Sequence, residues 1–169
     1  TDRIAEASRK LKFDVAIDIQ GDFPFVEPKN ISKLIRFHLK KDFEIVVPNS
    51  PISYQDAKSK EVVKLMVNSK GRVLNFSRSV IPYPYNKRKK KYLKHMSIIS
   101  FNKKVLDIFL RLPLGENEQN EGVELMRALE NEIRIGSFTI NKDIFSVDIK
   151  KDYIKSIQLM PYDSLRKKY

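Results

Sequence analysis

The sequence predicts an α/β fold: a mixed, mainly parallel sheet flanked by helices, with a hairpin-rich subregion added over residues 62–101. Two observations predict the parallel part. "VAIDI" at 15–19 and "EIVVP" at 44–48 are short apolar runs of strand length. Between them Ile31, Leu34, Ile35 and Leu39 recur at helical spacing behind Pro28, a residue suited to the first turn of a helix. Strand, helix and strand in that order make a βαβ unit, whose strands run parallel. A third observation predicts the hairpin: "VVKLMVN" and "VLNFSRS" flank "SKGR", with Lys70 and Gly71 in the turn.

The remaining elements follow in order. Ile4, Ala5, Ala7 and Leu11 mark a first helix within residues 3–12. "HMSIISF" at 95–101 reads as a strand and "KKVLDIFLRL" at 103–112 as a helix. "GENEQNEGVELMRALENE" is acidic first and apolar later; Val123, Met126, Ala128 and Leu129 form one face of a short helix. "IRIGSFTI" is a strand, and Asp148 stands just before a last helix in "IKKDYIKSIQLM". No internal repeat is present.

A length of 169 residues suits one domain or one and a half, and 41% hydrophobic residues are enough for a core. The absence of cysteine excludes a disulfide scaffold, a thiolate zinc site and a cysteine nucleophile, and fits a reducing compartment, the cytoplasm. No apolar run reaches the length of a membrane-spanning helix. The opening "TDRIAEASRKL" reads like the middle of a domain, so a partial chain is expected. The net charge of +12 points either to an anionic partner or to scattered, solvated lysines. Only Lys87-Arg88-Lys89-Lys90-Lys91 forms a run, expected as an exposed loop. With Tyr83, Tyr85 and Tyr92 nearby, that loop supports a rival reading as a single-stranded nucleic-acid-binding module.

One stretch asks for a chemical reading. The first strand ends in Gln20-Gly21-Asp22, and Pro24 follows. At the carboxyl end of a strand in a doubly wound sheet, a glycine admits close approach of a ligand and a carboxylate can hold a hard cation. The same residues also make an ordinary turn. Both readings stay open on spacing alone.

Taken together, "TDRIAEA", "IQGDFPFVEP", "NFSRSVIPY", "KHMSI", "ENEQNEGVELMRALE" and "SVDIKKDYIKSI" resemble, in order, the motifs of the 3-deoxy-manno-octulosonate cytidylyltransferase (CMP-Kdo synthetase) family. The resemblance implies a nucleotidyltransferase-type α/β sheet, usually dimeric, that uses magnesium. It implies transfer of CMP from CTP to the anomeric hydroxyl of an acidic 2-keto-3-deoxy sugar, with release of pyrophosphate, for lipopolysaccharide or other surface-glycan synthesis. Asp22 and Asp148 match the catalytic, magnesium-holding carboxylates; Asp148 also suits a helix N-cap. Thr1 and Arg3 match a nucleotide-contacting stretch. Gln20, Arg78, His95 and Glu124 match sugar-binding positions. For each a plainer role stays open: a backbone partner for Gln20, a cross-strand ion pair for Arg78, a buried structural ring for His95, solvated helix faces for Arg3 and Glu124. Glu118, Glu121 and Arg127 also match, or form helix salt bridges.

The departures fall on the sugar side of the family pattern. Phe23 replaces the glutamate of "QGDEP", Leu125 the glutamine of "EQLR", and Ile99 and Phe101 the tyrosines of "HxGIYxY". These leave a CMP-nonulosonic acid synthetase as an alternative. Nothing matches the family's phosphate-cradling "ARxxSxRLPGKPL" loop. Residues 1–169 are therefore expected to form one partial cytidylyltransferase domain without that unit, inactive on its own, with dimerisation through 62–101.

Overall fold

The computed structural model describes residues 1–85, 91–140, 146–147, 149–163 and 165–166. Helix α1 (Asp2–Ser8) leads into β1 (Val15–Ile19), α2 (Pro28–Lys40) and β2 (Ile45–Ile52). A short α3 (Tyr54–Ala57), capped by Ser53 and Asp56, precedes the hairpin β3 (Lys64–Val67) and β4 (Val73–Ser77). Then come β5 (Tyr92–His95), β6 (Ile98–Asn102), α4 (Lys103–Phe109), α5 (Glu116–Glu121), α6 (Leu125–Glu130), β7 (Ile135–Thr139) and α7 (Lys150–Leu159), which ends in a 3-10 turn, Met160–Tyr162. The basic run lies almost wholly within 86–90, outside the described residues; Lys91 alone belongs to the described part.

The predicted sheet was mainly parallel; the observed sheet is mixed and mostly antiparallel. β1 pairs antiparallel with β6, β2 with β5 and β6, and β3 with β4 and β5. Among the described pairings only β2 with β7 is parallel, from Ile45↔Ile135 to Asn49↔Thr139. The cause lies in β5 and β6. Their registers, Ile52↔Tyr92 to Asn49↔His95 and then Val46↔Ser100, make them one long strand along one edge of β2, bulged at Met96–Ser97. β6 thus separates β1 from β2. Both run antiparallel to it and hence in the same direction, so the predicted βαβ crossover exists but skips one strand position.

β2 alternates across the sheet as a strand must: Ile45 and Val47 enter one core cluster, Val46 the other. The larger cluster adds Ala5, Phe76, Phe101, Leu106, Phe109 and Leu125 from α1, β4, β6, α4 and α6. The smaller one gathers Leu34 of α2 with Phe23, Met96, Ile98 and Ile140. The architecture is three layers: α2, the sheet, and the α1–α4–α6 group. Within α2 the buried positions are Leu34 and His38, one turn apart, whereas Leu39 is 60% exposed. The face is therefore narrower than the four predicted residues.

Two positive-φ glycines shape the connections. Gly71 (φ +81°) closes the β3–β4 turn, where the Asn68 side chain accepts from the Lys70 and Arg72 amides. Gly122 (φ +59°) ends α5 in the left-handed conformation, so the single predicted helix is two, α5 and α6. No helix among the described residues is long and apolar enough to cross a membrane.

Candidate active site

β1 delivers the chain to a turn in which the Phe23 amide donates to the Gln20 carbonyl at 3.2 Å. Phe23, 8% exposed, sinks into the smaller core cluster and anchors the turn. Gln20 and Gly21 stay exposed, and a Cβ placed on Gly21 would meet no atom within 4 Å. The turn reading is thus realised, and the space above Gly21 that the ligand reading calls for is open. The Asp22 carboxylate Oδ1 is buried without a hydrogen-bond partner among the described residues. Such an orphan costs free energy unless something else engages it. The Val147 amide donates to the Asp22 carbonyl at 2.9 Å, bringing the segment beside Asp148 to this turn. Asp148 itself lies outside the described residues. The N-cap position of α7 belongs to Ile149, whose amide donates to the Asp152 carboxylate.

At the same end of β1, the Thr1 hydroxyl donates to Glu124 Oε2 at 2.6 Å, joining a predicted nucleotide contact to a predicted sugar contact. Burial raises the pKa of the Asp18 carboxyl, and the Glu124 charge adds to it. Arg3 is exposed on α1.

Arg78 engages carbonyls rather than an opposing charge across the sheet. Its Nε donates to Glu121 O (2.7 Å), Nη1 to Lys60 O (2.9 Å) and Nη2 to Gly122 O (3.3 Å). In return, the Glu121 carboxylate accepts from the Ser77 hydroxyl (2.6 Å) and the Arg78 amide (2.7 Å). Burial would raise the Glu121 pKa, but these two hydrogen bonds and the Arg78 and Lys64 charges outweigh it and hold it low. Lys64, fully buried in β3, donates to the carbonyls of Ser59, Val62 and Arg78. Its pKa is pushed down by burial, with the Glu121 charge acting against the shift and the Arg78 charge with it. Sequence reasoning passed over Lys64; the signal was a lysine inside the apolar run "VVKLMV".

The predicted helix salt bridge is a bidentate pair between two helices: Arg127 Nε and Nη2 reach Glu118 Oε2 and Oε1 at 2.7 and 2.6 Å. His95 sits edge-on to Phe76, and its Nδ1 is buried with no hydrogen-bond partner among the described residues. Burial, helped by the Lys94 charge, pushes its pKa down to about 4, so the ring is neutral. Where β2 pairs with β7, Asn49 donates to the Ser137 hydroxyl and accepts from that of Thr139. Lys33 of α2 reaches the Thr139 carbonyl at 3.0 Å. None of these four was predicted.

Only one of the predicted metal ligands, Asp22, is described, and no cluster of three or more His, Cys, Asp or Glu suited to a metal occurs among the described residues. The Asp22 site nonetheless suits a hard cation that needs only one or two carboxylates and keeps its waters: the donor is an oxygen, it is orphaned, and the space above Gly21 is open.

The family profile described as "Cytidylyltransferase" matches residues 1–135. The chain belongs to the cytidylyltransferase family. Among its relatives, the 3-deoxy-manno-octulosonate cytidylyltransferase of Rickettsia canadensis is 33% identical over 99% of this chain and 68% of its own length. That of Escherichia coli is 35% identical over 83% of this chain and 57% of its own length. A solved CMP:2-keto-3-deoxy-manno-octonic acid synthetase complexed with CTP superposes with a TM-score of 0.91 at 32% identity, over 95% of this chain and 67% of that one. The chain thus spans between about half and two thirds of the length of these relatives. Within the family pattern, the apolar replacements Phe23, Ile99, Phe101 and Leu125 are all buried in the two core clusters. They are packing residues of this cytidylyltransferase fold. Tyr92 is likewise buried, 3% exposed, and packs against Tyr54; it offers no free face for stacking a base.

Proposed function

We propose that this protein transfers CMP from CTP to the anomeric hydroxyl of 3-deoxy-manno-octulosonate or a close 2-keto-3-deoxy relative. The single observation that carries this reading is the Asp22 turn: a buried carboxylate oxygen without a partner among the described residues, in a turn whose Asp22 carbonyl is tied to Val147, in a fold that superposes on a synthetase complexed with CTP. The sugar oxygen forms a bond to the α-phosphorus, the bond to the β-phosphate breaks, and pyrophosphate leaves; the hydroxyl proton passes to solvent. Magnesium, held by Asp22 and Asp148, would neutralise charge on the phosphates.

The chain's own residues supply orientation. Thr1 and Glu124, hydrogen-bonded to each other, lie where a nucleotide contact and a sugar contact are expected to meet, with Arg3 on the adjoining helix. Gln20 is exposed on the turn to pair with sugar hydroxyls, and His95, neutral, holds a buried Nδ1 that has no partner among the described residues and can accept one. With its guanidinium engaged on carbonyls, Arg78 supports the sugar site from behind. Burial of the family-departing residues favours an octulosonate-type sugar over a changed sugar class, because those changes fall in the core.

By the same reading the product would feed lipopolysaccharide or surface-glycan synthesis in the cytoplasm, and the active species would be a homodimer joined through 62–101. An exposed Leu74 on β4, the last strand in the sheet order, supports that surface. The test is release of pyrophosphate by the complete protein with CTP, magnesium and a panel of acidic sugars. Turnover with octulosonate is expected; absence of turnover with every 2-keto-3-deoxy acid overturns the reading.

A further inference from the structure

The resemblance matches Arg78 to a sugar-binding position, yet its geometry gives it another task. Three of its nitrogens already donate to carbonyls, and two of those carbonyls, Glu121 O and Gly122 O, flank the bend from α5 into α6. Gly122 adopts φ +59° there, with its amide on Glu118 O at 2.8 Å, and the guanidinium passes 3.7 Å from where a Cβ would stand. Two residues on, Glu124 occupies the N-cap position of α6 and receives the Thr1 hydroxyl. Arg78 is itself held at both backbone groups: its amide by the Glu121 carboxylate, its carbonyl by the buried Lys64 ammonium. The arrangement is a strut from the sheet to the bend, fixed at its base and forked at its tip.

We propose that Arg78 is a positioning residue, whose guanidinium fixes the Glu121 and Gly122 carbonyls and thereby aims the Glu124 carboxylate at the sugar site beside Thr1. The proposal rests on the cytidylyl-transfer reading for what Glu124 does, but not for what Arg78 holds. Arginine suits this task because its planar fork presents donors in fixed directions; lysine supplies a charge without the fork. A group that acts only through another shows non-additive losses when both are removed.

The test uses the complete protein with Arg78→Gln, Arg78→Lys, Glu124→Gln and the double variant Arg78→Gln/Glu124→Gln. Hydrogen exchange of the peptide spanning the bend is expected to quicken about tenfold in both Arg78 variants, as local opening becomes easier. The sugar KM is expected to rise about tenfold, with the CTP KM within about twofold of wild type, and the double variant to be no worse than Glu124→Gln alone. Unchanged exchange at the bend, or losses that multiply in the double variant, would overturn the proposal, the second outcome pointing to direct contact between Arg78 and the sugar. Should Arg78→Gln not fold, Arg78→Lys is read by the same criteria. If wild-type protein turns over no sugar at all, the cytidylyl-transfer reading fails, while the exchange measurement still decides whether the strut exists.

Discussion

The amide of Val147 donates to the carbonyl of Asp22 at 2.9 Å. This bond uses the Asp22 main chain and leaves its carboxylate Oδ1 buried, with no hydrogen-bond partner among the described residues. The structural tie and the proposed chemistry are therefore divided between two parts of one residue.

Asp22→Asn separates them. The carbonyl remains, so the turn and its tie to Val147 persist, and the melting temperature should stay within a few degrees of wild type. Under the proposed cytidylyl transfer, the charge is lost where phosphate charge would develop. Removing one such electrostatic group typically costs about a hundredfold to a thousandfold in kcat. Pyrophosphate-release kinetics, read beside thermal melts, check both halves; a variant that melts normally and keeps full activity would remove Asp22 from the chemistry.

Glu118 and Arg127 make a different kind of prediction. Their side chains are only 9% and 12% exposed, and Arg127 lies over the Phe109 ring. Truncating either partner leaves the other charge buried without its bidentate partner, an effect of about 3–5 kcal/mol. Glu118→Ala should therefore destabilise strongly in urea melts. Replacing both with methionine should recover most of the loss, because two apolar side chains of similar volume strand no charge.

These contrasts show which features the sequence carries openly. β1, α2 and β2 were legible because their periods, 2 and 3.6, are local properties of the chain. β5 was not: Tyr92-Leu93-Lys94-His95 follows the basic run and becomes a strand through pairing with β2 and β3. Missing it made the sheet look parallel. In the candidate site, the turn that carries Asp22 was legible from glycine and proline chemistry at a strand end. The plainer reading of Arg78, a cross-strand ion pair, gave way to carbonyl partners because a guanidinium fits carbonyls as well as carboxylates, and only tertiary structure decides which is near. Phe23, Ile99, Phe101 and Leu125 looked like pocket residues for the same reason: a motif records position, whereas the side of the backbone a residue faces depends on packing.

The histidines set a pH dependence whose sign can be worked out. The chain has only two, His38 and His95. His38 accepts from the Ser100 hydroxyl at Nδ1 and donates from Nε2 to the Phe43 carbonyl. Its pKa is lowered by burial, against the pull of the Phe43 carbonyl and the Glu44 charge. His95 is pushed down from 6.5 to about 4. Above pH 6.5 both forms of the protein hold His95 neutral and the stability is complete. As pH falls from 6.5 towards 4 the unfolded chain takes up a proton that the folded chain refuses, so stability falls. For His95 the loss is about 3 kcal/mol, and below pH 4 it levels off. Denaturant melts across this range should show the decline, and His95→Gln should remove most of it. An NMR titration in which the His95 ring protonates near pH 6.5 would contradict this account.

Gly136 supplies the last prediction, and it concerns packing alone. In β7 it lies under the Phe43 ring, and a Cβ there would stand 2.2 Å from Phe43 Cδ2. That separation is far inside van der Waals contact, so something must move. The ring has little freedom: it stacks on Phe37 at 6.3 Å, and Phe37 in turn packs on Phe138 at 4.9 Å. Displacing Phe43 therefore disturbs the α2 side of the sheet, close to the His38–Phe43 hydrogen bond. Overpacking of this kind costs about 1–3 kcal/mol. Gly136→Ala should lower the melting temperature by that measure, and Phe43→Leu added to it should recover part of the loss, because a smaller, branched side chain can yield to the new methyl. If Gly136→Ala melts like wild type, the ring is free to swing aside, and the close packing inferred between β7 and the α2–β2 connection does not hold.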